Sequence, residues 1–159
     1  MIERATVPKE NRAHQDSFEQ QRDTWRRAYA EAPSVRERFP QLERLTIDIR
    51  FCDVKRLGTY SPQMRGFGAS AKAFFAFECP RTLCLQGGFD LDPIVQGLFA
   101  SNQAKSSGKL QCQGRLHSPH NDNAHCRLEL HYAIHLLYEV SESTRESQPG
   151  ARSGKRSGN

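Results

Sequence analysis

The sequence predicts an α+β protein: a small antiparallel four-stranded sheet with one covering helix, preceded by a helical extension at the N-terminus. Segments in which every second residue is apolar, the pattern of strands, alternate with segments of helical spacing. The order helix, strand, strand, helix, strand, strand fits an antiparallel sheet covered on one face by a helix. Four cysteines near the ends of predicted strands add a metal site to this prediction.

The chain has room for one domain and two polar ends. At 159 residues with 36% hydrophobic content, it is expected to form a single domain with part of its length outside the core. We predict disorder over 1–14, a helical extension over 15–40 and an α+β zinc-binding domain over 41–140. The low-complexity segment 141–159 is predicted to be a disordered basic tail.

The N-terminal extension contains two helix signals. A capping-box pattern at Ser17–Gln20 predicts that the first helix begins near Ser17, and Pro33 ends it. A second pattern at Ser34–Glu37 predicts a helix of one or two turns that stops at Pro40. A long helix followed by a short one is therefore expected before the sheet.

Four segments have strand character. Leu45–Phe51 alternates apolar and polar residues, and a long connection rich in Gly, Ser and Pro follows over 53–70. The predicted second strand spans 71–79. Strands three and four, over 108–116 and 128–138, are expected to form a hairpin, with apolar residues on one face of the last strand.

A helix is predicted between the second and third strands. Ile94 to Phe99 give it an apolar face, and Pro93 suits its first turn. Asp90 or Asp92 can cap its N-terminus, which explains this pair of carboxylates without catalysis. This segment is the predicted covering helix.

The cysteines are the strongest chemical signal in the chain. Each of four lies at or near the end of a predicted strand, and they are Cys79, Cys84, Cys112 and Cys126. If strand two runs beside the hairpin of strands three and four, all four sulfurs converge at one edge of the sheet. Four thiolates in a tetrahedral arrangement suit a structural Zn²⁺. The sequence therefore predicts these residues as zinc ligands.

Other interpretations of the thiols stay open. They fit unliganded buried residues, since cysteine is often buried, or a redox pair. Cys52 lies apart and is expected to be an ordinary thiol, because four cysteines already fill the coordination shell. A loop histidine, His117, His120 or His125, could replace a cysteine as a ligand.

The two cysteine-bearing turns, FECPRTLC and LQC…HC, resemble zinc-ribbon-like modules over residues 79–126. Both cysteine spacings are longer than the C-x2-C of those modules, and a helix is inserted between the two halves. The resemblance implies a structural zinc site that brackets a small sheet.

The expected function is interaction. A closed four-sulfur shell leaves no position for a substrate, and no hydrolase, zinc-protease or phosphate-binding motif is present. The alternative is a thiol-dependent enzyme or redox protein using Cys84 or Cys79, in which the following helix N-terminus would lower the pKa of Cys84 if the loop folds back towards it. Trp25 and Tyr29 either pack on the sheet or anchor a partner, and the 53–70 segment is either a mobile connection or grips a peptide or nucleic acid.

Charge favours a protein partner over a nucleic acid. The net charge is +5, but three of the excess cations lie in the tail, at Arg152, Lys155 and Arg156. The rest of the chain is nearly neutral and lacks a concentrated basic segment, so nucleic-acid binding is weakly supported. The N-terminus has no apolar signal region and no run is long enough to span a membrane, so we expect a cytoplasmic protein.

Overall fold

The computed structural model describes residues 9–53, 58–117 and 124–140. The predicted tail over 141–159, His120 and residues 1–8 lie outside this part of the chain. The elements, in chain order, are α1 (Lys9–Glu31), α2 (Val35–Arg38), β1 (Leu42–Asp53), β2 (Gly58–Thr59), β3 (Gln63–Gly68), β4 (Ala76–Glu78), β5 (Cys84–Leu85), β6 (Gly88–Asp90), α3 (Asp92–Ala100), β7 (Lys105–Gln111), β8 (Arg115–Leu116), β9 (Ala124–His125) and β10 (Glu129–Tyr138).

The main sheet is antiparallel and four strands wide. The short β2 and the longer β3 both pair with one side of β1, β10 pairs with the other side, and β7 pairs with β10. The β1–β10 ladder runs from Leu42 opposite Tyr138 to Cys52 opposite Glu129, with an irregularity between Leu42 and Arg44. The predicted α+β class and sheet are confirmed.

The core lies between one face of this sheet and α3. Leu45, Ile47 and Ile49 of β1 are buried there, as alternation along the strand requires. Val95 and Leu98 of α3 belong to the same buried cluster. The predicted covering helix is confirmed. The Asp90 carboxylate accepts the Asp92 N–H at 2.9 Å at its start, although neither aspartate is the N-cap.

The α2 helix connects the extension to the core. Its capping box is present as predicted: the Glu37 N–H donates to Ser34 Oγ, and the Ser34 N–H donates to Glu37 Oε2. Arg38, in the same helix, forms a two-pronged ion pair with Asp92 of α3, with N–O distances of 2.5 and 2.6 Å. Bidentate geometry and partial burial make this a strong contact.

Replacing Arg38 with alanine is expected to lower the free energy of unfolding by about 1–3 kcal/mol, because the half-buried Asp92 carboxylate loses its bidentate partner. Arg36→Ala is the matched control. Its ion pair with Glu139 is mostly exposed, so we expect a loss below about 0.5 kcal/mol. Urea unfolding measures both variants, and equal losses would contradict the role of the Arg38 contact.

The first helix is longer than predicted. It begins at Lys9 and runs through Ser17 without a break, so the start expected at Ser17 was wrong and residues 9–14 are helical. The segment from Lys9 to Asp16 contains no Gly or Pro and is rich in residues that favour helices. Pro8 directly precedes this segment and is an earlier helix-start signal than Ser17. The helix therefore begins at Lys9, and Ser17 is an interior residue.

The second strand of the main sheet was also predicted wrongly. Of the segment 71–79, only β4 is a strand, and it pairs with β6 in a separate two-stranded sheet. The place beside β1 belongs to β3, which lies in the segment 53–70 that was predicted to be a connection. A strand so near in sequence closes a shorter loop at a lower entropic cost, while two glycines hide its strand pattern.

Aromatic side chains of the α1 helix pack on the domain. Trp25 and Tyr29 each form a T-shaped ring contact with Phe74, with ring centroids 5.9 and 5.8 Å apart. Lys72 donates to the carbonyl oxygens of Ala30 and Ala32 at the end of the helix. Across the described ranges, no helix combines the length and apolar character needed to cross a membrane.

Candidate metal centre

The four predicted cysteines meet at one end of the molecule. Their Sγ atoms all lie within 4.8 Å of one another, although the residues come from distant parts of the chain. The Sγ atoms of Cys79 and Cys126 are 3.6 Å apart, and those of Cys84 and Cys112 are 3.7 Å apart. These separations are far longer than the ~2.05 Å of a disulfide. The cysteines are therefore free thiols in a cluster compatible with a metal site.

Two chain segments deliver the thiols in pairs. Cys79 directly follows β4 and Cys84 begins β5, so a short turn supplies the first pair. The second pair lies where the β7–β10 ladder is interrupted before β8 and β9 continue the hairpin. In this gap the Cys112 N–H donates to the Leu128 carbonyl and the Cys126 N–H to the Gly114 carbonyl, each at 2.8 Å. The expected hairpin arrangement of Cys112 and Cys126 is thus present.

The backbone beside the cluster is unusual at two positions. Gln86 and Arg127 have φ values of 55° and 51°, in the left-handed region that L residues seldom adopt. Gln86 lies two residues after Cys84, and Arg127 directly follows Cys126. These conformations turn the chain sharply next to a thiol in each segment.

Two glycines allow the segments to approach closely. A Cβ atom placed on Gly87 would lie 2.2 Å from Cys84 Sγ and 2.8 Å from Cys112 Sγ. A Cβ atom on Gly114 would lie 2.4 Å from Cys84 Sγ and 2.6 Å from Gly87 Cα. Any side chain at either position would occupy space that the sulfur atoms need.

Arg81, inside the first cysteine turn, links the cluster to the main sheet. Its Nη1 donates to the Cys126 carbonyl at 2.5 Å and lies 3.6 Å from Cys126 Sγ. Its Nη2 forms an ion pair with Asp53 at the end of β1, a carboxylate that is only 8% exposed. The Gly114 N–H adds a donor 3.4 Å from Cys112 Sγ. Positive charge and N–H donors favour thiolates at this site.

The thiols influence one another's pKa values. Hydrogen bonding by Cys79 lowers the pKa of Cys112 to about 5, despite burial. Burial, followed by the charge of Cys112, raises the pKa of Cys84 to about 12. The pKa of Cys79 is also raised, first by its hydrogen bond with Cys112 and then by burial. Among these three thiols, the thiolate form is favoured at Cys112 and disfavoured at Cys79 and Cys84.

The thiol-dependent alternative relies on a lowered pKa at Cys84. Burial, followed by the charge of Cys112, instead raises the pKa of this thiol. The pKa of Cys112 is lowered, and this residue is only 1% exposed.

The other ligand candidates that the structure describes lie outside the cluster. Within the described part of the chain, the metal-compatible group comprises the four cysteines, and neither His117 nor His125 joins it. Cys52 is a half-buried free thiol near the end of β1, also apart from the group. The four predicted ligand positions are the ones that the fold brings together.

Sequence reasoning missed the residues that surround the thiols. Arg81, Asp53, Gly87 and Gly114 carried no motif, although an arginine inside a cysteine turn is a usable signal. It also missed Gln21 of α1, whose side chain donates to the Gly87 carbonyl at 3.1 Å and accepts the Gln86 N–H at 2.9 Å. This contact places the N-terminal helix directly against the cysteine turn.

Comparison of the chain with protein families, curated proteins and solved structures finds no match.

Proposed function

We propose that this protein is a zinc-stabilised interaction module, in which Cys79, Cys84, Cys112 and Cys126 bind a structural Zn²⁺ and the surface binds another protein. The separation of the sulfurs carries the metal part of the proposal. Tetrahedral zinc with Zn–S bonds of about 2.3 Å requires sulfurs about 3.8 Å apart. Two of the pairs here are 3.6 and 3.7 Å apart, and all four sulfurs lie within 4.8 Å of one another.

The ligand chemistry supports zinc in a structural role. Four thiolates are soft ligands, and a tetrahedral sulfur set is typical of zinc or iron. Because all four positions are filled by protein, a bound Zn²⁺ has no open position for water or substrate. The site therefore contributes to folding and not to hydrolysis.

The local structure also supports a need for the metal. The small sheet beside the four cysteines consists of β5, β8 and β9, which have two residues each. Strands this short do not hold a hairpin together on their own. Structural zinc contributes an apparent binding free energy on the order of 10–16 kcal/mol, as much as the whole stability of a domain. A metal clamp would hold the two chain segments in place.

Elemental mass spectrometry combined with a free-thiol count tests the metal. We expect one zinc per chain and one readily reactive thiol, Cys52, in the folded protein, and five reactive thiols after denaturation with a chelator. Cys52→Ser should remove the reactive thiol and leave the zinc. A metal-free protein with all its thiols reactive would overturn the proposal, and iron in place of zinc would correct the metal.

Zinc affinity is expected to fall steeply as the pH falls. The pKa of Cys84 is raised to about 12 and that of Cys79 is also raised, so both thiols are protonated in the metal-free protein at neutral pH. Each must lose its proton to bind as a thiolate, so binding releases at least these two protons. The apparent affinity should therefore drop about 100-fold or more for each pH unit lowered.

Competition with a chromophoric zinc chelator, between about pH 6 and pH 8, measures this dependence. The chelator's own proton binding is subtracted with a titration that lacks protein. An affinity that does not change with pH would show that the two thiols are not ligands.

A further inference from the structure

The strand β3 presents an open edge of the main sheet. It pairs with β1 on one side, and no other described strand pairs with it on the other. Five of its six residues are exposed. An edge strand offers unpaired backbone N–H and C=O groups to any extended chain that comes beside it. Its surroundings therefore decide which chain would fit.

A groove runs between β3 and α1 on the inner side of this edge. Its volume is about 530 Å³, with Trp25 and Tyr29 on the helix side and Phe67 on the strand side. Phe74 and Phe77 also line it. A strand on one side, a helix on the other and aromatic rings between them form a site that accepts apolar side chains from an extended peptide.

Part of the exposed apolar surface lies in this region. Of the six large hydrophobic side chains that stay exposed among the described residues, three are here, namely Tyr29, Tyr60 and Met64, at 54%, 38% and 74%. Tyr29 lines the groove, Met64 lies on β3, and Tyr60 packs edge-on against Phe51, another lining residue. Clustered exposed apolar side chains are a mark of interaction surfaces.

One cation in the groove lining, Arg65, has no carboxylate partner among the described residues. Its charged lining residues are Arg26, Arg65 and Glu78. Arg26 pairs with Asp23, whereas the Arg65 guanidinium lies over the Phe77 ring, 5.2 Å from its centroid, without a carboxylate partner in the described ranges. Arg65 is thus available to an acidic side chain.

The outer face of the sheet beside β3 carries two arginines and one aspartate. There β1 carries Arg44 and Arg50 on either side of Asp48. Gly66 and Gly68 leave open space on β3, since a Cβ atom on either would meet nothing within 4 Å. Side chains of an added strand that point to this face would therefore meet two arginines and one aspartate.

The open edge of β3 favours an extended protein segment over a nucleic acid or a second copy of this chain. A nucleic acid has no peptide groups with which to continue a ladder, whereas an extended protein segment has them at the right spacing. A second copy of β3 would bring two Arg65 side chains close together on one edge, and like charges on neighbouring strands are destabilising. An acidic protein segment satisfies both the backbone and the charge.

We propose that the groove between β3 and α1 binds an extended segment of a partner protein, which adds a strand to β3, inserts apolar side chains among the aromatic rings and places acidic side chains near Arg65. The inference rests on the interaction role proposed above, but not on the zinc site. It names the surface and the chemistry of the partner.

A peptide titration with the full-length chain tests it. The probe is a capped seven-residue peptide in which glutamate alternates with valine and a central phenylalanine. Trp25, the only tryptophan, lines the groove, so its fluorescence reports binding. Two matched peptides serve as controls: one with N-methyl groups on alternate amides, which blocks pairing with β3, and one with lysine in place of glutamate.

Each control peptide, and the variant Arg65→Glu, should bind at least about tenfold more weakly, because backbone pairing or charge attraction is lost. Arg27→Glu makes the same charge change on an exposed part of α1 outside the groove and should have no effect. Thermal unfolding verifies that both variants fold.

Equal binding of the N-methylated peptide would rule out strand addition. The choice of partner would be overturned if the first peptide does not bind. It would also be overturned if a uridine oligonucleotide binds more tightly than that peptide and displaces it. Metal content measured on the same sample separates the two proposals. Zinc without peptide binding would refute the groove alone, and peptide binding without zinc would refute the metal site alone.

Discussion

Serine in place of any one of the four clustered cysteines is expected to abolish stoichiometric metal binding and to lower the melting temperature by a similar large amount in each variant. The zinc contribution, on the order of 10–16 kcal/mol, matches or exceeds the stability of a typical domain. We expect each variant to lose more than about 4 kcal/mol, which corresponds to at least about 15 °C in melting temperature. The four effects should be alike because one metal connects Cys79, Cys84, Cys112 and Cys126.

The internal control is Cys52→Ser. This thiol lies outside the cluster and is half-buried, so the change should cost less than about 1 kcal/mol and leave the metal content intact. Circular dichroism melts, with and without a chelator, and metal analysis of each variant measure the series. A single cysteine among the four that can be replaced without loss of metal would contradict the four-sulfur site.

Alanine at Gly114 or Gly87 is the second substitution expected to have a large effect. At Gly114 the new Cβ atom would lie 2.4 Å from Cys84 Sγ and 2.6 Å from the Gly87 backbone, distances that real contacts do not reach. At Gly87 it would lie 2.2 Å from Cys84 Sγ. Either methyl group separates the two chain segments, so metal binding should be lost with about 3 kcal/mol or more of stability.

Gly97→Ala is the matched control, with the opposite expected sign. Gly97 lies inside α3, and a Cβ atom there meets nothing within 4 Å. Alanine in a helix is favoured over glycine by about 0.5–1 kcal/mol, so this variant should be more stable than the parent protein. Chemical unfolding and metal analysis compare the three variants. Retention of stoichiometric metal in Gly114→Ala would show that the segments can separate without opening the site.

Sequence patterns were informative where the determining contacts are local or where burial imposes a period. The capping box of Ser34 and Glu37 depends on residues three apart, and it is present as predicted. The last strand was readable because its apolar residues alternate, with Leu130 and Ile134 fully buried. The thiol cluster could be predicted for a different reason. Cysteines at neighbouring strand ends of a small predicted sheet are brought close together by the strand pairing itself.

Patterns failed where several local signals compete or where packing chooses between segments. Ser17 can cap a helix, but the preceding residues also favour helix and so override it. The segment 71–79 has a stronger strand pattern than β3. Its aromatic side chains instead pack in two directions. Phe75 is buried in the core, and Phe74 packs against Trp25 and Tyr29 of α1. Only the folded chain shows that β3, with two glycines, takes the place beside β1.

By itself, the sequence determined the α+β class, the covering helix, the apolar face of the last strand and the four cysteines, because periodicity, capping and side-chain chemistry belong to short stretches of chain. The tertiary structure alone decided which segment pairs with β1, that Arg81 connects Asp53 to Cys126, and that Gly87 lies against Gly114. Each of these is a contact between residues far apart in the chain. Such contacts form through mutual fit among many segments, and no local pattern records them.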